Sequence, residues 1–467
     1  MSEMAKAKLS RREMLAVTGL SAAGAVLAAC QPKVIEVTKE VEVPVKETVV
    51  VQEEVEVPVE VVVTATPEPT EPVTLHTMYH AGMPDPWIAT YRKILDEFQE
   101  FHNNMILVEP LWVPEAWDKI QTEYAAGGGP DVIINQMDWM VPGAARGMFV
   151  NLIPFINRDG IDMSAYWYDH SLEWEWKGGL YALLLYAGGQ ALYVNKARLA
   201  EAGLEFPSDD WTWDDLLSYG KQLTDEAAGK WGIMGTSSNP PYWSCAFIHG
   251  NGGSVLNDKL NECTIDEPEA QEALQWIHDL IYVHKVQPTG AAIAGLDDQF
   301  LAGNVAFSFN GTWFESSLRD TDLDWDFARM PVHPTTNLRS VQMGSNAWSI
   351  LTTTKYLEQS WQLVKWLGTE PGQKGFMGTG LPGLRSVIES PEYQQAHAPQ
   401  QITRLIDDFS CCGHNYYPTP DCGQWWSAMG AELDLIWSDE RSVEESTRAA
   451  CEAVERIFAE RPEEWGM

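Results

Sequence analysis

Short apolar runs alternate with segments of helical spacing in the chain after residue 72. Val73 to Tyr79 is rich in apolar residues and predicts a strand. Asp85 and Pro86 then supply an N-cap and a first-turn proline. Apolar residues follow at intervals of three and four, which predicts one buried helix face: Trp87, Tyr91, Ile94, Phe98 and Phe101.

The same alternation continues downstream. Strands are predicted at 105–108 and 131–135, with a helix between them at 117–126. This βαβα order predicts a mostly parallel sheet with helices on both faces.

Helix start and stop signals recur in the second half of the chain. Thr212 with Asp215, and Ser442 with Glu445, have the spacing of a capping box. An apolar stripe ends at Gly368, a residue type that commonly terminates helices.

The first 29 residues have the pattern of a signal peptide. Basic residues, including Arg11 and Arg12, precede an apolar run that is too short to cross a bilayer as a helix. The segment around Arg11-Arg12 resembles the twin-arginine export motif, although ordinary secretion stays open. Leu27 to Cys30 resembles a bacterial lipobox, which predicts that Cys30 is acylated; the alternative is a plain signal peptide followed by a chance cysteine.

Residues 30–72 then predict an extended stalk. Valine and glutamate alternate there, but prolines such as Pro44 and Pro58 interrupt strand pairing. Acidic side chains repel one another, so the segment is expected to act as a tether. An acylated Cys30 at its start would hold the globular part at the outer face of a membrane.

The composition excludes some classes of function. The net charge of −36 is incompatible with the basic footprint that nucleic-acid binding requires. The residues after 72 are too numerous for one hydrophobic core, so two lobes are expected. The 21 tryptophans exceed ordinary use; those in loops are candidates for stacking on a ligand.

Six of the seven cysteines remain if Cys30 is acylated. An even number outside the cytoplasm is compatible with disulfides, and six cysteines allow fifteen pairings. A bond between Cys412 and Cys422 is the favoured pairing, because it would close the loop between them.

Several segments resemble, in the same order, the family 1 extracellular solute-binding proteins of ABC importers, which include maltose-binding protein. Ala125 to Val132 resembles a small-residue loop before a Pro-Asp strand, and Gly179 to Lys196 resembles the crossover into a second lobe. Ala202 to Leu216, and Phe300 to Trp313, match two further family segments. Each segment alone is weak evidence, but together they run in order from Ala125 to Trp313.

The resemblance implies an α/β, two-lobed periplasmic-binding-protein-like fold of type II, with parallel-rich sheets, flanking helices and a ligand cleft between the lobes. Lobe 1 is expected at 73–186 with 346–380 returning to it. Lobe 2 is expected at 187–345 with 381–467 returning to it.

The resemblance also implies a function: a carbohydrate, monosaccharide or oligosaccharide, is bound for import by an ABC permease. The protein is then a monomeric lipoprotein on the extracytoplasmic side of the membrane, without a cofactor, a metal or enzymatic activity.

Sugar sites combine aromatic rings, which cover apolar C–H faces, with polar groups that bind hydroxyls. The positions that match the family's ligand loops supply both types, and they make up the predicted site: Tyr79, His80, Asp138, Trp139, Tyr242, Trp243, Trp313, Asn346, Trp348, Trp425 and Trp426. Each aromatic could instead lie in a core, Asp138 could merely cap a turn, and the alignment does not decide between Trp425 and Trp426.

Other functions stay open at this point. A secreted carbohydrate-active hydrolase would need a poised carboxylate pair, and the many acidic residues permit one. The same fold could bind Fe(III) through Tyr416 and Tyr417 near His414, since phenolates suit a hard cation. The acidic charge also permits a cationic solute such as a polyamine.

Overall fold

The computed structural model describes residues 71–466 except for 84, 167–173, 238–241, 290–295, 320, 379–380 and 416. All described residues belong to one compact unit, Val63–Met467. The predicted signal peptide (1–29), Cys30, nearly all of the predicted stalk (30–72) and Tyr416 lie outside the described residues.

Twelve strands occur in the described part of the chain. In chain order they are β1 (Val73–His80), β2 (Ile106–Val113), β3 (Val132–Gln136), β4 (Glu175–Trp176), β5 (Gly179–Leu180), β6 (Leu183–Asn195), β7 (Trp231–Met234), β8 (Val305–Gly311), β9 (Trp325–Ala328), β10 (Val341–Ile350), β11 (Leu381–Pro382) and β12 (Gly413–His414).

Ten of these strands form one mixed sheet, whose main order is β2-β1-β3-β10-β6-β8-β7. The outer strands pair in parallel, as β1 does with β2 and β3, and as β7 does with β8. The central strands β6 and β10 run antiparallel to each other and to their other main neighbours, β8 and β3. The two long central strands therefore connect the two parallel ends of the sheet.

The α-helices flank this sheet. They are α1 (Asp85–Phe101), α2 (Ala116–Ala125), α3 (Met137–Ala145), α4 (Ile153–Asp159), α5 (Lys196–Glu201), α6 (Trp213–Leu223), α7 (Cys245–Gly250), α8 (Pro268–Tyr282), α9 (Leu296–Leu301), α10 (Glu315–Leu318), α11 (Leu357–Gly368), α12 (Glu370–Gly375), α13 (Arg385–Ile388), α14 (Pro391–His397), α15 (Thr403–Cys412), α16 (Cys422–Trp437) and α17 (Val443–Phe458). A search of the described residues finds no helix whose length and apolarity would let it cross a bilayer.

Local sequence signals explain where these helices begin. Thr212 and Asp215 form the predicted capping box at the start of α6, where each side chain binds the other's backbone N–H. The Ser442 side chain accepts from the backbone N–H of Glu445 at the start of α17. These bonds satisfy N–H groups that have no partner within the helix.

The buried side chains form two hydrophobic clusters, here called the first and the second core. The first core takes its residues from 75–186 and 347–387. The second core takes its residues from 187–343 and 381–458. Strand β6 passes from the first core to the second between Tyr186 and Ala187, and β10 returns between Met343 and Ala347.

The predicted disulfide between Cys412 and Cys422 is wrong. Cys412 bonds instead to its neighbour Cys411 at the end of α15, and Cys263 bonds to Cys451 in α17. Cys422 is fully buried at the start of α16. The loop between Cys412 and Cys422 is therefore not closed by a disulfide.

Candidate ligand-binding cleft

A cleft of about 590 Å³ lies between the two cores. Its wall contains side chains of the first core, such as Trp87 and Tyr186, and of the second core, such as Trp426. The complete lining is His80, Gly82, Met83, Trp87, Gln136, Met137, Asp138, Tyr186, Gly189, Tyr242, Trp313, Gly344, Ser345, Asn346, Gly423, Trp426 and Ser427.

The order of the sheet explains why polar groups meet in this cleft. β1 ends at His80, and the neighbouring parallel strand β3 ends at Gln136. The carboxyl ends of parallel strands lie at one edge of a sheet, where open α/β folds bind their ligands. Asp138 follows at once in the first turn of α3, where the helix dipole favours a negative charge.

Aromatic rings form the wall on the side of the second core. Tyr242 and Trp313 line the cleft and pack against that core. Trp243 lies beside them: its ring centroid is 4.6 Å from that of Tyr242 and 5.8 Å from that of Trp313. The side-chain amide of the buried Gln190 donates to the Trp243 carbonyl at 3.2 Å, which fixes this loop against β6. The wall is thus a group of rings in mutual contact.

Asp138 and His80 are the titratable side chains of the lining other than tyrosine. Burial raises the pKa of the Asp138 carboxyl to about 6. The His80 ring accepts a hydrogen bond at Nδ1 from the backbone N–H of Gly82, at 2.9 Å. With Nδ1 as an acceptor, the neutral ring carries its proton on Nε2.

Strand β10 contributes Gly344, Ser345 and Asn346 to the floor of the cleft. The indole N–H of the buried Trp174 donates to the Ser345 hydroxyl at 3.1 Å. The Asn346 amide donates to the Asn135 carbonyl at 3.4 Å, the weakest of these contacts. An added Cβ at Gly344 would lie 2.5 Å from the Tyr242 hydroxyl and 2.7 Å from Met137 Cε, so the ends of these two side chains would have to move.

Six of the eleven predicted site residues line the cleft: His80, Asp138, Tyr242, Trp313, Asn346 and Trp426. A seventh, Trp243, contacts the rings of Tyr242 and Trp313 without being part of the lining.

The other four predicted residues lie in the cores and are removed from the candidate site. Tyr79 packs against Tyr91, with the two hydroxyls hydrogen-bonded, and Trp348 stacks on Tyr91 at 5.2 Å. Both are fully buried in the first core. Contact with a ligand is therefore not available to either side chain.

Trp139 and Trp425 are core residues for similar reasons. Trp139 stacks on Trp117 at 5.5 Å. Trp425 is fully buried, and its indole N–H donates to the Thr419 hydroxyl at 2.7 Å. Of the adjacent pair in α16, it is Trp426 that reaches the cleft.

Sequence reasoning missed several lining residues, above all Met83, Trp87, Gln136, Met137, Tyr186 and Ser345. Trp87 was expected only on the buried face of α1, and it also lines the cleft because α1 begins close to the end of β1. Gln136 and Met137 occupy the junction of β3 and α3. The general rule that ligands bind at strand ends could have found these two.

Tyr417 and His414, two of the residues proposed for Fe(III), lie outside the cleft lining. The buried Tyr417 is hydrogen-bonded through its hydroxyl to His249 Nε2 at 3.0 Å and to the backbone N–H of Val255 at 3.1 Å. Burial raises the pKa of Tyr417, which disfavours the phenolate form. His414 stacks on His249, with ring centroids 4.2 Å apart.

The sequence model of the family described as bacterial extracellular solute-binding protein matches residues 93–400, about two thirds of the chain. The chain belongs to this family. A maltotriose-binding protein from Pyrococcus abyssi is 24% identical over 344 residues, which cover 70% of each chain. An arabinooligosaccharide-binding protein from Halalkalibacterium halodurans is 30% identical over 189 residues, which cover 39% of this chain and 42% of that one.

Solved structures of other proteins have the same fold as this chain. An ABC substrate-binding protein from Listeria monocytogenes, in complex with cycloalternan, superposes with a TM-score of 0.76 at 20% identity, covering 84% of this chain and all of that one. Maltose-bound MalE3 from T. maritima gives a TM-score of 0.73 at 20% identity, covering 82% of this chain and 99% of that one. The two-lobed type II fold predicted from the sequence is confirmed.

Proposed function

We propose that this solute-binding protein captures a carbohydrate in the cleft for import through an ABC permease. The observation that carries the proposal is the mixture of side chains around about 590 Å³ of space. Rings of Tyr242, Trp313 and Trp426 suit the apolar faces of sugar rings, and Asp138 and Asn346 suit hydroxyls. The names of the relatives, which bind maltotriose and arabinooligosaccharide, support the same class of ligand.

The protein acts by binding, without a covalent step. A ligand that touches both lobes favours the closed arrangement by the difference in its affinity for the two states. The lobes are 73–186 with 346–380, and 187–345 with 381–467. Supporting this division, β6 and β10 pass between the cores beside the cleft, at Gly189 and Gly344. The closed form is the one presented to the permease.

The protein works as a monomer, held at the outer face of the membrane by acylated Cys30 and the stalk of residues 30–72. The lipobox-like sequence before Cys30 supports this placement. Cells fed a labelled fatty acid should label the wild-type protein, whereas Cys30→Ala should be unlabelled and appear in the medium. A labelled Cys30→Ala variant would reject the anchor and leave the ligand proposal untouched.

Calorimetric melting of the purified protein tests the ligand class. A panel of monosaccharides and oligosaccharides, spermidine and Fe(III) is added singly, and a specific ligand raises the melting temperature by mass action. We expect a rise with at least one sugar and none with spermidine or Fe(III). A rise with spermidine or Fe(III) alone would reject the carbohydrate. Chromatography of the incubated sugars should show no cleavage products.

A further inference from the structure

The lining of the cleft carries a negative charge and no balancing positive one. Asp138 supplies the carboxylate, His80 is the one other ionisable group apart from tyrosines, and the remaining side chains are neutral. Among the residues that the structure describes, neither lysine nor arginine lines the cleft.

The position of Asp138 makes its charge matter to a ligand. The carboxyl is half-buried, and among the described residues no ion pair or hydrogen bond from another side chain is found for it. A half-buried carboxylate gains most from a donor that carries positive charge, since charge-assisted hydrogen bonds are about twice as strong as neutral ones. A second carboxylate placed beside it would be repelled and would lose water as well.

His80 does not offset this charge. Its Nδ1 accepts from the Gly82 N–H, and a ring nitrogen that accepts carries no proton. The ring therefore presents one N–H donor in its neutral form. The net charge of −36 acts in the same direction at longer range, because it repels anionic solutes and attracts cationic ones.

We propose that the cleft ranks sugars by charge at Asp138: a sugar unit that bears an ammonium group binds more tightly than its neutral counterpart, and a unit that bears a carboxylate or phosphate is rejected. Asp138 is thus the residue that determines charge specificity. This inference rests on the proposed function, because it presupposes that the occupant is a sugar.

Isothermal titration at about pH 7.5 with matched trisaccharides tests the ranking. The probes are maltotriose and cellotriose, the same two sugars with one 2-amino-glucose unit, and the same two with one glucuronic acid unit. Whichever parent trisaccharide binds, maltotriose or cellotriose, we expect its amino derivative to bind about three- to tenfold more tightly than the neutral parent. The acidic sugar should bind at least about tenfold more weakly. The preference for the amino sugar should shrink as salt is added.

Asp138→Asn removes the charge and keeps the shape of the side chain. We expect its three affinities to fall within about threefold of one another. Asp118→Asn is the matched control: Asp118 also lies in the first turn of a helix of the same lobe, but it is exposed and does not line the cleft. It should keep the wild-type ranking, although it changes the net charge by the same amount.

The outcomes separate the two proposals. An acidic trisaccharide that binds wild-type protein as tightly as its neutral counterpart overturns the charge ranking and leaves the carbohydrate function standing. This result needs no variant, so it holds even if Asp138→Asn is unstable. Binding of none of the six sugars counts against both proposals. A ranking that survives in Asp138→Asn assigns the discrimination to another group and rejects the role of Asp138.

Discussion

Two tryptophans that look alike in the sequence have different surroundings. Trp313 is half-buried in the wall of the cleft, whereas Trp425 is enclosed in the second core. Trp313→Ala should weaken binding of the preferred sugar about ten- to hundredfold, because a buried aromatic contact contributes about 1.5–3 kcal/mol. Titration calorimetry measures this change, and the melting temperature without ligand should fall only slightly.

Trp425→Ala supplies the contrast. It should lower the free energy of unfolding by about 3–5 kcal/mol, since a fully buried ring is replaced by a cavity. Urea denaturation measures the loss. Unchanged sugar affinity in Trp313→Ala would remove the stacking role of the ring, whatever Trp425→Ala does.

Asp138 also makes stability depend on pH in the ligand-free protein. Its folded-state pKa is raised from 3.8 to about 6, so the native protein holds the proton more firmly than the unfolded chain does. The native state therefore loses stability as pH rises through this interval. Asp138→Asn should be more stable than wild type by on the order of 1–2 kcal/mol at about pH 7.5, and equal to it at about pH 4. Melting curves of both proteins at the two pH values test this. A stability difference between Asp138→Asn and wild type that does not depend on pH would contradict the prediction.

The sequence predicted residue types better than it predicted which way they face. Neighbours in a helix are about 100° apart, so one of the pair Trp425 and Trp426 had to face the core, and the sequence could not say which. Asn346 and Trp348 are two apart in β10 and would share a face in a regular strand. β10 is regular here, since its pairing with β3 is uninterrupted from Asn346 to Trp348. The two side chains differ in their position along the strand: Asn346 lies at the cleft, and Trp348 lies in the first core.

At the scale of elements, the crossing of β6 and β10 constrains the cleft most. Gly344 pairs with Gly188 across the two strands, and a side chain at Gly344 would displace the ends of Tyr242 and Met137. Gly344→Ala should push Tyr242 and Met137 away from the floor and weaken sugar binding about tenfold or more. Titration calorimetry of the variant measures the effect.

Gly423→Ala is the control for that change. It adds the same methyl group to the lining at a point where no atom lies within 4 Å of the new Cβ. Its melting temperature should match or exceed that of wild type, since alanine suits a helix better than glycine. Equal sugar affinity in Gly344→Ala and wild type would show that Tyr242 and Met137 can move aside without weakening sugar binding.

Element boundaries followed from the sequence where a local signal sets them. The strand predicted at 131–135 is β3, and the capping residues Thr212 and Ser442 begin helices α6 and α17 as predicted. The long passage of β6 and β10 through both cores has no local signal, because it arises from pairing between residues that are far apart in the sequence, such as Met343 with Gly189 and Trp348 with Leu183. The mostly parallel sheet predicted from βαβα order is accordingly mixed in its centre.

At the scale of the whole molecule, the bond between Cys263 and Cys451 joins segments 188 residues apart. Replacing both cysteines by serine should lower the free energy of unfolding by about 2–4 kcal/mol, because the unfolded chain regains the freedom of a long loop. Denaturant titration under non-reducing conditions measures the difference.

The other disulfide provides a matched comparison. Cys411 and Cys412 are adjacent, so their bond closes only a small ring within these two residues and no long loop of the unfolded chain. Serine at both positions should change the free energy of unfolding by less than about 1 kcal/mol. An equal loss in the two double variants would show that loop closure is not the source of the stabilisation.

The indole rings of Trp87, Trp313 and Trp426 in the cleft lining have a practical consequence. Indole emission changes when water beside the ring is replaced by a solute, so occupancy alters the protein's own fluorescence without an attached dye. Most of the 21 tryptophans are a constant background, and phenylalanine at buried positions such as Trp361 would reduce it. The molecule thereby contains the chromophores for a label-free optical sensor of its solute.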